Sequence, residues 1–577
     1  MSSPSLGSIP CDILQHIAFL CSLTTVFAPP VDVLHLLLTS RTFYRSLNFR
    51  DAPYLYADIF CTKFDAQVSV RRYGTRWTDS ALAAELMRRC RLLRRAQRLD
   101  FSPAGLVQDL WAALWMLLES DRLNRKQLNR ARFPEFILGL AHRELSASSV
   151  SSSMKHIIVC LLSLTLRRQT ILGMSKKDRD ELYGLVFPFI FSPQQPSKPP
   201  QGSLICAHCS HRDHVYGSEG PTQDNTQPRC QCIHDHPIVS AYQKTQFAMT
   251  PNSATAAINL ASAILESTPM RIPYHLPETR AIAIATQRSG PTQEEYKALV
   301  AYETLLQADF AEEQHEQHEQ QQQDDDYSSS STLSEPCPDH PYAMSDTPPG
   351  FSRHNDLAYA EILRSLDPGH GSSNVFSYTP GTMTGLWEGI FRTAPSPKNY
   401  LIASTSSTPS PSPALGFTKP FQCCLVEYIC SGHTGSLSAE SEGDILEHPL
   451  CFPNLLDPKS SFELQIAGRK YRRYSPGDEV RRCHLPSHND ILMLGQTLEG
   501  HAEAWGGYKF FGKVQTDGHL FLKREAKDTA SPNGKQIFEG HLPLLTMVVG
   551  RWRFVSENIL PGQGIFSLVK SRNGWKV

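Results

Sequence analysis

Residues 311 to 340 read AEEQHEQHEQQQQDDDYSSSSTLSEPCPDH, and the hydrophobic pattern has a different period on the two sides of this stretch. An acidic, Gln- and Ser-rich run cannot bury enough apolar surface to offset its chain entropy, so a disordered linker is expected over 311–375. A chain of 577 residues is also too long for one ordinary core, and about three or four domains are expected from length alone.

On the amino-terminal side the apolar residues recur at intervals of three and four. The segments ALAAELMRRCRLLRRAQRL, LVQDLWAALWMLLESD, FPEFILGLAHREL and MKHIIVCLLSLTLRR follow one another across polar or Pro-containing joints. This spacing predicts packed antiparallel helices. Helical signal returns in SATAAINLASAILE and in PTQEEYKALVAYETLLQADF. Beyond residue 380 the period falls to two. LWEGIFR, YLIAS, QCCLVEYIC, SFELQIAG, ILMLGQ, YKFFGKVQ, HLFLKRE, QIFEGHL, TMVVGRWRFVS and GIFSLVK read as strands parted by Gly, Pro, Asp and Asn, with Asp517-Gly518 suited to a two-residue hairpin turn. About ten strands with no helical pattern between them predict an antiparallel β-barrel or sandwich. The fold class expected is therefore multidomain α plus β: helical residues 1–66, a helical region 67–310 with an insert at 192–237, the linker, and a β domain over 376–577.

Composition narrows the partners. A formal net charge of -1 argues against a global electrostatic hold on nucleic acid or an anionic membrane. The most apolar run, IIVCLLSLTL at 157–166, is too short to span a bilayer and ends in Arg167 and Arg168. ILQHIAFLCSLTTVFA at 13–28 has no Lys or Arg before it and is broken by Gln15 and His16, so it reads as mature structure rather than a signal peptide. Fifteen cysteines, an odd number with several in apolar runs, favour a reducing setting and thus a cytoplasmic or nuclear location.

The insert contains Cys206, Cys209, Cys230 and Cys232 among five histidines. A C-x2-C pair with a further Cys and a nearby His can hold a structural zinc tetrahedrally. The second half lacks a clean C-x2-C, and a loop of reduced cysteines is the favoured reading. No other cofactor is expected. The basic runs MRRCRLLRRAQR (87–98) and RKYRRY (469–474) can grip acidic or phosphorylated peptides, but a solvated helix face and a loop are the favoured readings. Phosphate-binding, nucleophile-elbow, zinc-protease and dinucleotide motifs are all lacking, and HEQHEQ falls in the linker, so no catalytic residue is nominated.

The chain opens with IPCDILQHIAFL and resumes with PVDVLHLLLTSRTFYRSL. Ile9, Ile13, Leu14 and Ile17 fall on one helical face, with Pro10 placed to begin the helix and Asp12 near its positive end. Val33, Leu34, Leu37 and Leu38 make a second apolar face. This stretch resembles the F-box. Ile9-Pro10 stands for the usual Leu-Pro start, Asp12-Ile13-Leu14 for the acidic and apolar helix residues, and Ser40-Arg41 with Phe43 or Tyr44 for the close. The pattern departs from the family in Ile9 and in the segment CSLTTVFAPP between the helices. Together with APYLYADIF at 52–60, the opening is similar to that of a large group of basidiomycete F-box proteins. The text DILMLGQTLEGHAEAWGGYKFFGKVQTDGHLFLKRE, then GKQIFEGHL and VVGRWRF, resembles the lipocalin-like barrel of the same group. Gly385-Leu386-Trp387 is similar to the Gly-x-Trp of calycin barrels, in which a late arginine packs over the tryptophan, a place that Arg551 or Arg553 would take here. Trp387, Trp505 and Trp552 are expected to close and pack the barrel rather than touch a ligand.

The resemblance implies a non-catalytic substrate receptor of an SCF-type ubiquitin ligase. Ile9, Pro10, Ile13, Leu14, Ile17 and Leu34 would dock on a Skp-type adaptor of the cullin ligase, and the barrel would hold an unknown target protein. Two readings from other classes stand beside it: a non-ligase helical scaffold whose calycin-like barrel binds a small apolar ligand or a peptide, and an enzyme with its site in the barrel mouth. A large apolar lumen would favour the ligand-binding barrel, and a filled core would count against it.

Overall fold

A computed structural model describes residues 9–23, 30–68, 78–146, 152–166, 168–191, 239–240, 245–246, 253–266, 272, 274–301, 378–393, 418–430, 463–466, 469–475, 491–515, 518–527, 535–544, 547–555 and 563–571. Cys206, Cys209, Cys230 and Cys232, the linker and the expected strand YLIAS lie outside these residues. The architecture is multidomain α plus β, with helices first and a closed antiparallel barrel after them. The chain divides into two compact units: Met1–Arg167, Glu181–Ala261 and Gly350–Ser377 form one, and Arg168–Asp180, Ser262–Pro349 and Tyr378–Val577 form the other. No helix among the described residues is long and apolar enough to cross a membrane.

The helical unit begins with α1 (Cys11–Leu23), α2 (Val31–Thr39), α3 (Arg41–Leu47) and α4 (Pro53–Lys63), followed by α5 (Asp79–Gln97), α6 (Leu106–Leu118), α7 (Leu123–Arg130), α8 (Phe133–Leu145) and α9 (Ser152–Thr165). Further along the chain, α10 (Arg168–Gly173), α11 (Lys176–Ile190), α12 (Ser253–Glu266) and α13 (Arg280–Ala285) precede the barrel. The expected boundary at residue 66 falls inside the helical unit, because α4 packs along α5. Local rules set the joints. Ser40 ends α2 in extended backbone and caps α3, its Oγ accepting from Phe43 N at 3.1 Å. Helix α6 is apolar on every side and nearly every residue of it is buried, so it forms the centre on which α5 and α9 pack.

The basic run in α5 departs from the expected solvated face. Arg89, 1% exposed, meets Glu85, Glu119 and the Asn124 carbonyl, each at 3.0 Å, and stacks on Phe60 and Phe64. Arg91 and Arg95 share the buried Asp109 at 2.8 and 2.7 Å. The half-buried Asp65, just past α4, accepts from the backbone N–H groups of Asp121, Arg122, Leu123 and Asn124 and so caps α7. These groups add charged ties to the apolar packing of α4, α5, α6 and α7.

In the second unit, β1 (Gly385–Thr393), β2 (Thr418–Cys430), β5 (Ile491–Gln496), β6 (Tyr508–Val514), β7 (His519–Ala526), β8 (Gln536–Leu544), β9 (Met547–Phe554) and β10 (Gln563–Lys570) pair antiparallel with their neighbours around a ring. The β1–β2 ladder closes it, Gly385 opposite Leu425 through Arg392 opposite Thr418. A short hairpin, β3 (Leu464–Ile466) and β4 (Arg469–Arg473), extends from the end of β2. RKYRR (469–473) is thus strand rather than loop, and Tyr471 joins Leu464 and Ile466 in an apolar cluster with Val426, Leu492 and Phe511. Gly518 takes φ +81° at the turn between β6 and β7, where Gln515 N donates to His519 O at 2.9 Å, so the connection is one residue longer than the two-residue turn expected.

Phe391, Phe421, Phe538, Phe566 and Trp552 meet inside the ring. Phe421 and Phe538 come from strands on opposite sides of the barrel, and their centroids are 4.5 Å apart. Glycines make the room: a Cβ on Gly550 would lie 2.6 Å from the Phe566 ring, and one on Gly564 2.5 Å from Trp552 Nε1. This part of the barrel is filled by side chains, which counts against a large apolar lumen.

Candidate functional site

Two places gather residues that the rest of the fold does not account for. The first is the surface of α1 and α2. Along α1, Leu14, Ala18 and Ser22 face inward at steps of four, with Leu14 only 4% exposed. Gln15 is buried beside them, donating to Ser46 O at 3.1 Å and accepting from the Tyr54 hydroxyl. Ile13, Ile17 and Leu20 form the adjacent stripe and face out, Ile13 being 51% exposed. Helix α2 reads VDVLHLLLT, yet Val33 is its sole buried residue. Val31, Leu34 and Leu38 are exposed, the last at 75%. Of the residues singled out from sequence, Ile13, Ile17 and Leu34 therefore share the outer surface, Pro10 is exposed, Ile9 is half-buried and Leu14 belongs to this chain's own core. The inward and outward stripes differ by one position, which periodicity alone does not resolve.

The second place is the barrel interior, whose two ends differ. At the end where β1 starts, residues Tyr378–Thr384 lie across the opening. The buried Glu427 accepts from the Tyr378 hydroxyl at 2.9 Å and from the N–H groups of Gly381, Met383 and Thr384 at 2.6, 2.6 and 2.9 Å. Burial raises the Glu427 pKa, and these hydrogen bonds oppose that rise. Trp387 is fully buried and donates from Nε1 to Met383 O at 2.8 Å. The cation beside it is Lys570, whose Nζ stands 5.9 Å from a Trp387 ring and donates to Thr382 O at 2.7 Å. Arg551 and Arg553 do not take that place. Arg551 lies opposite Ile565, itself opposite Arg392, five residues or roughly 16 Å along β1 from Trp387. Both arginines pair with Glu539 at 3.4 Å on the outer face. Trp552 packs edge-on against Phe391 and donates to Arg392 O at 3.0 Å.

At the opposite end β7 finishes while β6 and β8 begin. Sequence motifs nominate no binding residue at this end. Arg524 is 4% exposed, and its Cζ lies 3.6 Å from the Tyr508 ring centroid, 4.8 Å from Phe391, 5.7 Å from Phe421 and 5.8 Å from Phe538. Among the described residues no carboxylate pairs with it, and its Nε is buried without a hydrogen-bond partner. Burial lowers its pKa to about 10, with the Tyr508 hydroxyl and Cys423 thiol acting in the other direction, so it stays charged at neutral pH. Gln536, directly opposite on β8, likewise has a buried Oε1 without a partner. Lys419 stands opposite Phe391, its pKa lowered by burial and then by Arg524. Between β5 and β6, α14 (Glu499–Trp505) sits at this end, a helix that the strand pattern does not anticipate. Its His501 has a pKa lowered to about 4 by burial and then by Arg524, and its Trp505 meets Tyr296 edge-on at 4.8 Å. The alternation in HLFLKREA, with Leu520, Leu522 and Arg524 on one face, is the readable signal for Arg524.

No group of three or more His, Cys, Asp or Glu among the described residues is arranged to hold a metal ion. No family model matches this chain, and no curated protein and no solved structure matches it either.

Proposed function

We propose that this chain is a substrate-receptor subunit of an SCF-type ubiquitin ligase, its amino-terminal helices docking on a Skp-type adaptor and its barrel capturing a target protein. The observation that carries the reading is the outer surface of α1 and α2. Large apolar side chains left in water on two packed helices lose about 25 cal/mol for each Å² they fail to bury. A partner that covers Ile13, Ile17, Leu20, Val31, Leu34 and Leu38 recovers that free energy. Supporting features are the F-box resemblance of the same residues and a closed barrel on the same chain. The receptor contributes proximity, raising the effective concentration of its target near the ubiquitin-loading end of the ligase.

The test is a pull-down of full-length chain with a Skp-type adaptor. Wild type is expected to retain the adaptor. Ile13→Asp combined with Leu34→Asp is expected to lose at least about tenfold in affinity, because each change puts a charge in a dehydrated contact. Both positions are exposed, so circular dichroism of the variant should match wild type. Leu14→Asp would instead disturb the chain's own core. Failure of wild type to retain the adaptor, or equal retention by the double variant, ends this reading.

A further inference from the structure

The unpaired polar atoms around Arg524 specify a ligand. We propose that the α14 end of the barrel binds a small carboxylate that carries an adjacent hydrogen-bond donor and an apolar body, with the carboxylate on Arg524, the donor on Gln536 and the body against Tyr508 and the phenylalanines. This inference does not depend on the adaptor reading, since it concerns the interior of one unit.

Three observations converge on it. A guanidinium nine-tenths buried with no carboxylate beside it among the described residues is costly, and stacking on four rings leaves its Nε–H unsatisfied. Gln536 is beside it in register, also buried and also lacking a partner for Oε1, so what is missing is an acceptor at Arg524 and a donor at Gln536. A carboxylate with a neighbouring hydroxyl or N–H supplies both. The surrounding charge has the right sign as well: Lys419 feels the positive field of Arg524. The same field disfavours the protonated form of His501, so an anion would relieve both. A fork of N–H donors matches a carboxylate in bidentate geometry, which makes charge at the ligand decisive. Phe421, Phe538 and Phe566 fill the middle of the barrel, limiting the ligand to a small one held beside Arg524.

The probe is salicylate, with its methyl ester and benzoate as controls, titrated calorimetrically into the full-length chain. Salicylate should bind at least about tenfold more tightly than the ester, which lacks the charge, and about threefold more tightly than benzoate, which lacks the donor. Arg524→Met should abolish the preference for acid over ester, Arg524→Lys should retain part of it, and Gln536→Leu should erase the difference between salicylate and benzoate while keeping the preference for acid. If the wild-type protein binds acid and ester within about twofold, or shows no heat with salicylate up to about 10 mM, the proposal is overturned. The wild-type comparison needs no variant, so it stands even if an Arg524 replacement fails to fold.

Discussion

Arg89 in the helical unit and Arg524 in the barrel are both buried cations stacked on aromatic rings, but among the described residues carboxylates meet only the first. Arg89 reaches Glu85, Glu119 and Asn124 at 3.0 Å, so each face of its guanidinium has an acceptor or a ring. Arg524 has Tyr508, Phe391, Phe421 and Phe538 around it and a buried Nε with no partner. Burial alone thus does not tell a structural charge from a binding one. The partners do, because a low-dielectric interior rewards a complete set of hydrogen bonds and penalises an incomplete one.

The largest effect expected from that contrast is the loss of a partner at Arg89. Glu119→Ala leaves a buried guanidinium short of one carboxylate and should lower stability by about 3–5 kcal/mol. Urea denaturation of the full-length chain, followed by helical circular dichroism, would measure it. A loss below about 1 kcal/mol would put Arg89 in the same class as Arg524 and erase the distinction.

The opposite sign is expected in the barrel. Arg524→Met removes a charge whose desolvation costs several kcal/mol and forfeits cation–π contact of about 2 kcal/mol, without orphaning any carboxylate among the described residues. The net should be a gain of about 1–2 kcal/mol for the ligand-free protein, seen as a rise in the melting temperature of the β unit. Destabilisation by that replacement would mean that the four ring contacts alone justify the charge.

Much of the fold could be read from period and turn chemistry. The strands from QCCLVEYIC to GIFSLVK fell where alternation put them, and α6 was apolar enough to be central. What stayed hidden was pairing at a distance. Leu82, Leu86, Arg89 and Leu93 share a helical stripe, which marks Arg89 as inward, but Glu119 and Asn124 are 30 and 35 residues away, and nothing local names them. The seven residues of α14 were too few for a helical period to stand out. The F-box-like residues were legible as two apolar helices, whereas the division of α1 into a core stripe through Leu14 and a surface stripe through Ile13 depends on how α3 and α4 pack against it. The cation at Trp387 is Lys570 at the end of the last strand, whereas Arg551 and Arg553 flank Trp552 in β9, and nothing local in the sequence tells the two apart.

The smallest effect, and the finest probe of Arg524, is the acid response of His501. Its pKa falls from 6.5 to about 4 on folding, through burial first and the charge of Arg524 second. Between those values the unfolded chain binds a proton that the folded one refuses, so stability rises with pH across that window. Above pH 6.5 the histidine is neutral in both states and imposes no penalty; the penalty grows as pH falls and is complete below about 4. His501→Gln should therefore flatten part of the melting-temperature profile between pH 6.5 and 4 and leave pH 7.5 nearly unchanged. Arg524→Met should shorten the same acid limb, ending it at a higher pH, because the folded-state pKa of His501 climbs toward its free value and the window in which stability is lost narrows. An unchanged limb in Arg524→Met would place the cause in burial alone and remove the electrostatic link between the barrel interior and α14.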